Sequence, residues 1–163
     1  MLHDGRAIRV AVVGSSRIPF SRSHSIYRNH SNKDLMTAAL DGLVNKLDLK
    51  GQTLGDVSLG AVVKHSRDWN LARESVIESG LSIRTPAYDL QRACGTSLEA
   101  CILVANKIAL GQIDCGIGGG VDLGGEDPGG GTGFGGGEGT QADPAASGGT
   151  VREVGADDAA IQL

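Results

Sequence analysis

The sequence predicts an α/β fold, with helices layered on a mostly parallel sheet. Three observations predict it. Short apolar runs alternate with stretches of helical period along residues 9–118, in the order strand, helix, strand, helix, strand, helix, strand. Glycines stand where these elements should close, at Gly14, Gly51, Gly80 and Gly111. Beyond Asp122 the alternation stops: 12 of the 26 residues from 124 to 149 are glycine. The expected organisation is therefore a domain over 1–123 and a disordered, Gly-rich acidic tail over 124–163.

Each element has a local reason. Arg9-Val10-Ala11-Val12-Val13-Gly14 is β-branched and reads as a buried strand. Residues 15–32 are polar, and Pro19 excludes a helix interior there, so this is a loop. Ser31-Asn32-Lys33-Asp34 reads as a capping start, the serine followed three residues later by an acid. The helix after it places Leu35, Met36, Ala39, Leu40, Leu43, Val44 and Leu47 on one face. A second strand is expected over 59–63, and a polar loop holding Trp69 over 64–70. A short helix is expected over 71–79, then a third strand over 86–90. The next helix, 98–110, carries Leu98, Cys101, Ile102, Ala105, Ile108 and Ala109 on its expected apolar face. Residues 114–118 form a Gly-rich fourth strand that other backbone should approach closely.

Composition bounds the function. The 163 residues carry a net charge of −4, with 40% apolar and only 3% aromatic side chains. Residues 1–123 hold 14 basic and 12 acidic side chains, and 124–163 hold 1 and 7. No basic patch of the nucleic-acid-binding kind is present. No signal-peptide run occurs at the N-terminus, and no apolar stretch approaches membrane-spanning length. Three cysteines without CxxC or Cys/His ligand spacing argue against a disulfide framework and against a metal site. A soluble, cytoplasmic protein is the expectation. The glycines at 116–120 give neither GxGxxG nor a P-loop.

One stretch carries chemistry: Gln91-Arg92-Ala93-Cys94-Gly95-Thr96-Ser97. It falls between an expected strand and an expected helix, with Gly95 supplying the bend. The free N–H groups and the dipole of a helix's first turn favour negative charge, so a thiol there ionises more readily. The same N–H groups can steady an oxyanion. Cys94 therefore reads as a nucleophile, with a small buried core residue as the alternative. Cys101 and Cys115 read as core. A nucleophilic cysteine needs a base. Of His3, His24, His30 and His65, the last is best placed after a strand, yet none has a spacing that marks it as the partner.

Four motifs in order now resemble the N-terminal half of thiolases, the acetyl-CoA acyltransferases. Arg17-Ile18-Pro19-Phe20 is similar to that family's Arg-Thr-Pro-Phe signature, and Asn70-Leu71-Ala72-Arg73 to its Asn-x-Ala-Arg helix start. Residues Arg92 to Ala100 resemble its nucleophile segment, and Gly118-Gly119-Gly120-Val121-Asp122 its Gly-Gly strand end. At Gln91 the family often has Asn. The resemblance implies thiolytic cleavage of a 3-ketoacyl-CoA to acetyl-CoA and a shortened acyl-CoA, or the reverse condensation, in fatty-acid β-oxidation. It implies Cys94 as acyl carrier and its backbone N–H as an oxyanion donor. It further implies CoA as substrate, with no bound cofactor and no metal. Association with a second copy or with a full-length thiolase subunit follows as an expectation. Thiolases have a second, similar half that brings the activating histidine, a second cysteine and much of the CoA site. None of those motifs follows Asp122, so a truncated chain with little activity of its own is expected. A ketoacyl-synthase-like fragment and a non-catalytic remnant are the rival readings.

Overall fold

The computed structural model describes residues 9–21, 25–64, 66–123, 147–154 and 158–160. Six strands and three α-helices are present among them, with a 3-10 turn at Ser66–Asp68: β1 (Arg9–Ser16), α1 (Asn32–Lys46), β2 (Asp56–Leu59), α2 (Leu71–Glu78), β3 (Ala87–Asp89), α3 (Thr96–Ala109), β4 (Cys115–Gly120), β5 (Ser147–Val154) and β6 (Asp158–Ala160). They form one sheet in the order β1-β6-β5-β4-β2-β3, with β1 also paired to β5. β2 runs parallel to both β3 and β4, Val57 standing opposite Ala87 on one side and Ile117 on the other. The antiparallel pairings all involve β5.

α1 begins as its sequence requires. Ser31 accepts from the Asp34 N–H at 3.1 Å, and the Asp34 carboxylate accepts from the Ser31 N–H at 2.8 Å. These two bonds satisfy donors that the first helical turn leaves open. The Ser31 N–H holds the Asp34 carboxyl below its ordinary range. Ser31→Ala should cost about 1 kcal/mol, read as a lower urea midpoint at neutral pH. A depressed carboxyl contributes stability above its unfolded value of 3.8 and loses it as pH falls through the folded one. Ser31→Ala keeps that N–H, so parent and variant should both lose this contribution in acid.

The sheet is the middle layer. On one face, Leu35, Met36, Leu40, Leu43 and Val44 of α1 pack with Leu71, Ala72 and Val76 of α2 against Val57, Leu59 and Ile117. On the other, Val104 and Ile108 of α3 pack with Val10 and Ile113. Strand alternation assigns the faces within β4. Ile117 points to α1 and α2, whereas Gly116, Gly118 and Gly120 point to α3. A Cβ on Gly118 would lie 2.7 Å from the Cys101 Cα, and one on Gly120 would lie 2.5 Å from the Ser97 Oγ. Bare backbone on alternate residues lets the helix rest directly on the strand, the close approach expected of this segment.

Several expectations need correction. The second strand is Asp56–Leu59, and the chain leaves the sheet at Gly60, not at Val63. Asp56 hides the strand from a reading by apolar runs, because its charge is buried against Lys107 and the Val57 N–H. β1 has no fully buried residue, since it lies at the outer side of the sheet beyond β5 and β6. On α3, Cys101 and Ile108 are buried as expected, but Leu98 and Ile102 are exposed, and Ala100 and Val104 complete the buried face. Within the stretch expected to be disordered, Ser147–Val154 and Asp158–Ala160 are strands. The unsatisfied edge of β4 explains this: its N–H and C=O groups demand partners whatever the side chains are. Gly148 and Gly149 stand opposite Gly119 and Gly118 there. The rest of that stretch, 124–146, 155–157 and 161–163, lies outside the described residues, so the expected boundary after residue 123 falls at their edge. No helix among the described residues is long and apolar enough to cross a membrane.

Candidate active site

The carboxyl ends of β2, β3 and β4 converge with the start of α3. The Val121 N–H donates to the Gly60 carbonyl at 2.9 Å, and the Leu90 N–H donates to the Leu59 carbonyl at 2.9 Å. A Cβ on Gly60 would collide with the Leu90 carbonyl and would lie 2.8 Å from the Thr96 Cγ2. In parallel α/β sheets this edge is where ligands bind.

Cys94 stands here, exposed, on the turn from β3 into α3. The bend is not made where the sequence places it. Gly95 has φ −93° and is the N-cap of α3, whereas Ala93 has φ +43°. An L-residue in that left-handed region costs roughly 1–2 kcal/mol. Nothing in an alanine signals this, so sequence reasoning assigned the turn to the neighbouring glycine. The Gly95 N–H donates to the Arg92 carbonyl at 3.0 Å, and the Thr96 N–H donates to the Ala93 carbonyl at 3.2 Å. Arg92 pairs with Glu99 at 2.7 Å across the turn, an exposed pair that contributes little. Gly95 brings no side chain to the first turn of α3. The caps of α1 and α2, by contrast, are closed by Ser31 and Asn70. Of the three α-helices, the one that starts beside Cys94 is thus the one without a side-chain cap, and the positive end of its dipole follows the thiol directly in the chain.

The neighbouring motif residues hold the scaffold. Asn70 caps α2, accepting from the Arg73 N–H at 3.0 Å. Arg73 donates to the carbonyls of Thr85 at 2.8 Å and Ile83 at 2.7 Å. Asp89, at the end of β3, accepts from the N–H groups of Leu71 at 3.1 Å and Ala72 at 2.7 Å, and from Lys64 at 2.5 Å. Gln91 donates from its side chain to the Val62 carbonyl. Sequence reading did not single out Asp89 or Thr96, whose hydrogen bonds tie β3 to α2 and close the turn. Their partners lie on other elements or within the turn itself, and spacing does not reveal them. Arg17 and Phe20 are exposed on the loop after β1, where Tyr27 donates to the Pro19 carbonyl at 2.7 Å.

No described residue forms a hydrogen bond with Cys94 that would mark it as the base. His30 is exposed in the turn before α1, its ring edge-on to Tyr27. His3, His24 and His65 lie outside the described residues. Among the described residues, no group of three or more His, Cys, Asp or Glu could hold a metal ion. Cys101 is buried and Cys115 half-buried. Burial pushes the Cys101 thiol up from 9.0 to about 11. The folded state therefore retains a proton that the unfolded chain releases first. That contribution is complete below pH 9.0 and lost as pH rises to about 11. The urea midpoint should fall across this window, and Cys101→Ala should flatten that part of the profile.

Residues 10–130 match the family described as "Thiolase, N-terminal domain". The 3-ketoacyl-CoA thiolase of Photorhabdus laumondii is 37% identical over 114 residues, which is 70% of this chain and 26% of that protein. The 3-ketoacyl-CoA thiolase of Aliivibrio fischeri gives the same figures, 37% over 114 residues, 70% and 26%. The crystal structure of the Bacillus anthracis acetyl-CoA acetyltransferase superposes with a TM-score of 0.66 at 23% identity, covering 71% of this chain and 29% of that one. At that identity it speaks for the fold alone. The chain spans about a quarter of the length of the curated relatives it matches, at 26%. With the strand–turn–helix that carries Cys94 inside the matched span, the chain belongs to the thiolase family by its N-terminal domain.

Proposed function

We propose that this chain carries the nucleophile of a thiolase-type acyl transfer, with Cys94 as the acyl carrier. The observation that carries the reading is the exposed Cys94 on its strained turn, at the carboxyl ends of the parallel strands and the open start of α3. In this reaction the Cys94 thiolate adds to the keto carbon of a 3-ketoacyl-CoA. The bond between that carbon and its neighbour breaks, and the electron pair leaves with acetyl-CoA, which takes up a proton. The acyl group remains on Sγ as a thioester. The thiol of a second CoA then takes the acyl group and returns Cys94 to its starting state. The Cys94 N–H supplies one oxyanion donor. CoA enters as substrate, and the chemistry asks for no resident cofactor. Degradation of fatty acids by β-oxidation is the proposed setting, supported by the name 3-ketoacyl-CoA thiolase that the relatives bear. An unpaired nucleophilic thiol calls for a reducing compartment, and the cytoplasm is the one proposed.

We also propose that these 163 residues do not turn over efficiently by themselves, because no base accompanies Cys94 among the described residues. General acid–base assistance contributes about 10²–10⁴-fold, so turnover should fall at least about 100-fold below that of a full-length thiolase. The test is to incubate the chain with acetoacetyl-CoA and map acetylated peptides. A slow, stoichiometric acetyl adduct on Cys94, absent in Cys94→Ser, is expected. Acetylation confined to another cysteine, or efficient turnover that survives Cys94→Ser, would defeat the assignment.

The surface favours association as part of this function. Trp69 is 82% exposed and Leu98 60%. Large exposed apolar side chains mark a partner's site where they belong to one patch, and these two are proposed as parts of such a face. Either a second copy or a longer thiolase subunit is proposed, and gel filtration of the chain, alone and mixed with a full-length thiolase, should show a species larger than the monomer. A monodisperse monomer in both samples would count against it.

A further inference from the structure

We propose that Thr96 is a positioning residue that holds the Cys94 turn in its left-handed conformation; this rests on the reading of Cys94 as the acyl carrier. Thr96 is 5% exposed, and its hydroxyl is used on both sides. It accepts from the Arg92 N–H at 2.9 Å and donates to the Ala93 carbonyl at 2.8 Å. Those two groups flank Ala93, the residue at φ +43°. One hydroxyl therefore ties the Gln91–Arg92 peptide, one residue before the strained one, to the Ala93–Cys94 peptide that leaves it. Strain of this kind persists only where the surroundings over-determine it. The Gly95 N–H bond to the Arg92 carbonyl closes the turn without involving the hydroxyl, and it depends on Ala93 staying where it is. The Thr96 methyl packs on Gly60, so the side chain is pinned against the end of β2 while its oxygen grips the turn. Cys94 lies between the two residues that this clamp connects. Its Sγ direction and its N–H follow from the clamp.

The test uses variants that separate the hydroxyl from the shape. Thr96→Val keeps the methyl that packs on Gly60 and removes both hydroxyl bonds. Two readouts are taken: amide hydrogen exchange at Gly95 and the rate of Cys94 alkylation by iodoacetamide. Two lost hydrogen bonds should accelerate Gly95 exchange about tenfold or more, and alkylation should slow as Cys94 leaves the helix start. Thr96→Ser keeps the hydroxyl and should match the parent in both. The decisive variant is the double, Ala93→Gly with Thr96→Val. Glycine occupies the left-handed region without penalty, so the double should recover both readouts if Thr96 acts by holding Ala93. A hydroxyl that merely satisfied buried polar groups would not be rescued that way. Unchanged exchange and alkylation in Thr96→Val, or no recovery in the double, overturns the proposal. Should Thr96→Val alone fail to fold, recovery of the folded state in the double supports the clamp, and continued failure overturns it. Absence of any acetyl adduct in the parent chain would instead sink the acyl-transfer reading, since neither readout depends on turnover.

Discussion

Gly118→Ala should destabilise the chain by about 3 kcal/mol, the upper end of the usual cost of overpacking, and should displace the Cys94 turn as it does so. The reason is what the new methyl would meet. Its nearest neighbours are the Cys101 Cα and N, both at 2.7 Å, and the Ala100 carbonyl carbon at 2.9 Å. These are backbone atoms of α3, so no rotamer change relieves the clash. The helix must lift from β4, breaking the packing of Val104 on Gly116 and of Ser97 on Gly120. Gly95→Ala is the control. Its nearest neighbour would be the Arg92 carbonyl at 3.4 Å, an ordinary contact, and its φ of −93° suits any residue. Urea midpoints should therefore drop sharply for Gly118→Ala and barely move for Gly95→Ala. The reverse order would mean that α3 does not rest on bare strand backbone. Because α3 begins beside Cys94, Gly118→Ala should also suppress acetyl adduct formation in whatever fraction remains folded.

The same contact explains what the sequence could disclose and what it could not. α1 was legible because two independent signals agree: the Ser31–Asp34 capping box sets its start, and the buried positions from Leu35 to Val44 share one face. The parallel strands β3 and β4 were legible from short runs bounded by turn residues. The phase of α3 was not. That helix is apolar on opposite sides, with Val104 and Ile108 buried and Leu98 and Ile102 exposed, so periodicity alone does not choose the inward face. The choice is made by the glycines of β4, which accept Ser97, Cys101 and Val104. β2 was placed too late in the chain because Asp56 is charged and finds its partner, Lys107, far along the chain. β5 escaped because backbone hydrogen bonding to a free strand edge needs no apolar pattern. At the site, the place of Cys94 on the turn between a strand and a helix was legible from its neighbours in the chain. The residue that bears the strain, Ala93, was not, since any left-handed φ is imposed by the bonds around it and alanine carries no preference for it.

The three thiols should separate widely in reactivity, and this bears directly on Cys94 as the acyl carrier. At about pH 8, iodoacetamide should modify Cys94 first and Cys101 last, with more than about 100-fold between them. Cys101 is only 2% exposed, and burial raises its thiol to about 11. Raised from 9.0 to about 11, that thiol carries roughly 100-fold less thiolate at about pH 8 than it would if exposed. Since the thiolate is the reacting form, burial slows Cys101 by about that factor. Lack of access against Gly118 widens it further. Cys115, half-buried beside the core, should fall between the two. Cys94→Ser should remove the fast phase and leave the slow ones, while Cys101→Ser should leave the fast phase intact. Raising the pH should quicken modification of Cys101 until its thiol is fully ionised above about 11, as long as the fold survives. A fast phase that persists in Cys94→Ser would place the accessible thiol elsewhere. The turn between β3 and α3 would then have no claim to the acyl group, because attack on a thioester substrate needs the same exposed thiolate that alkylation reads.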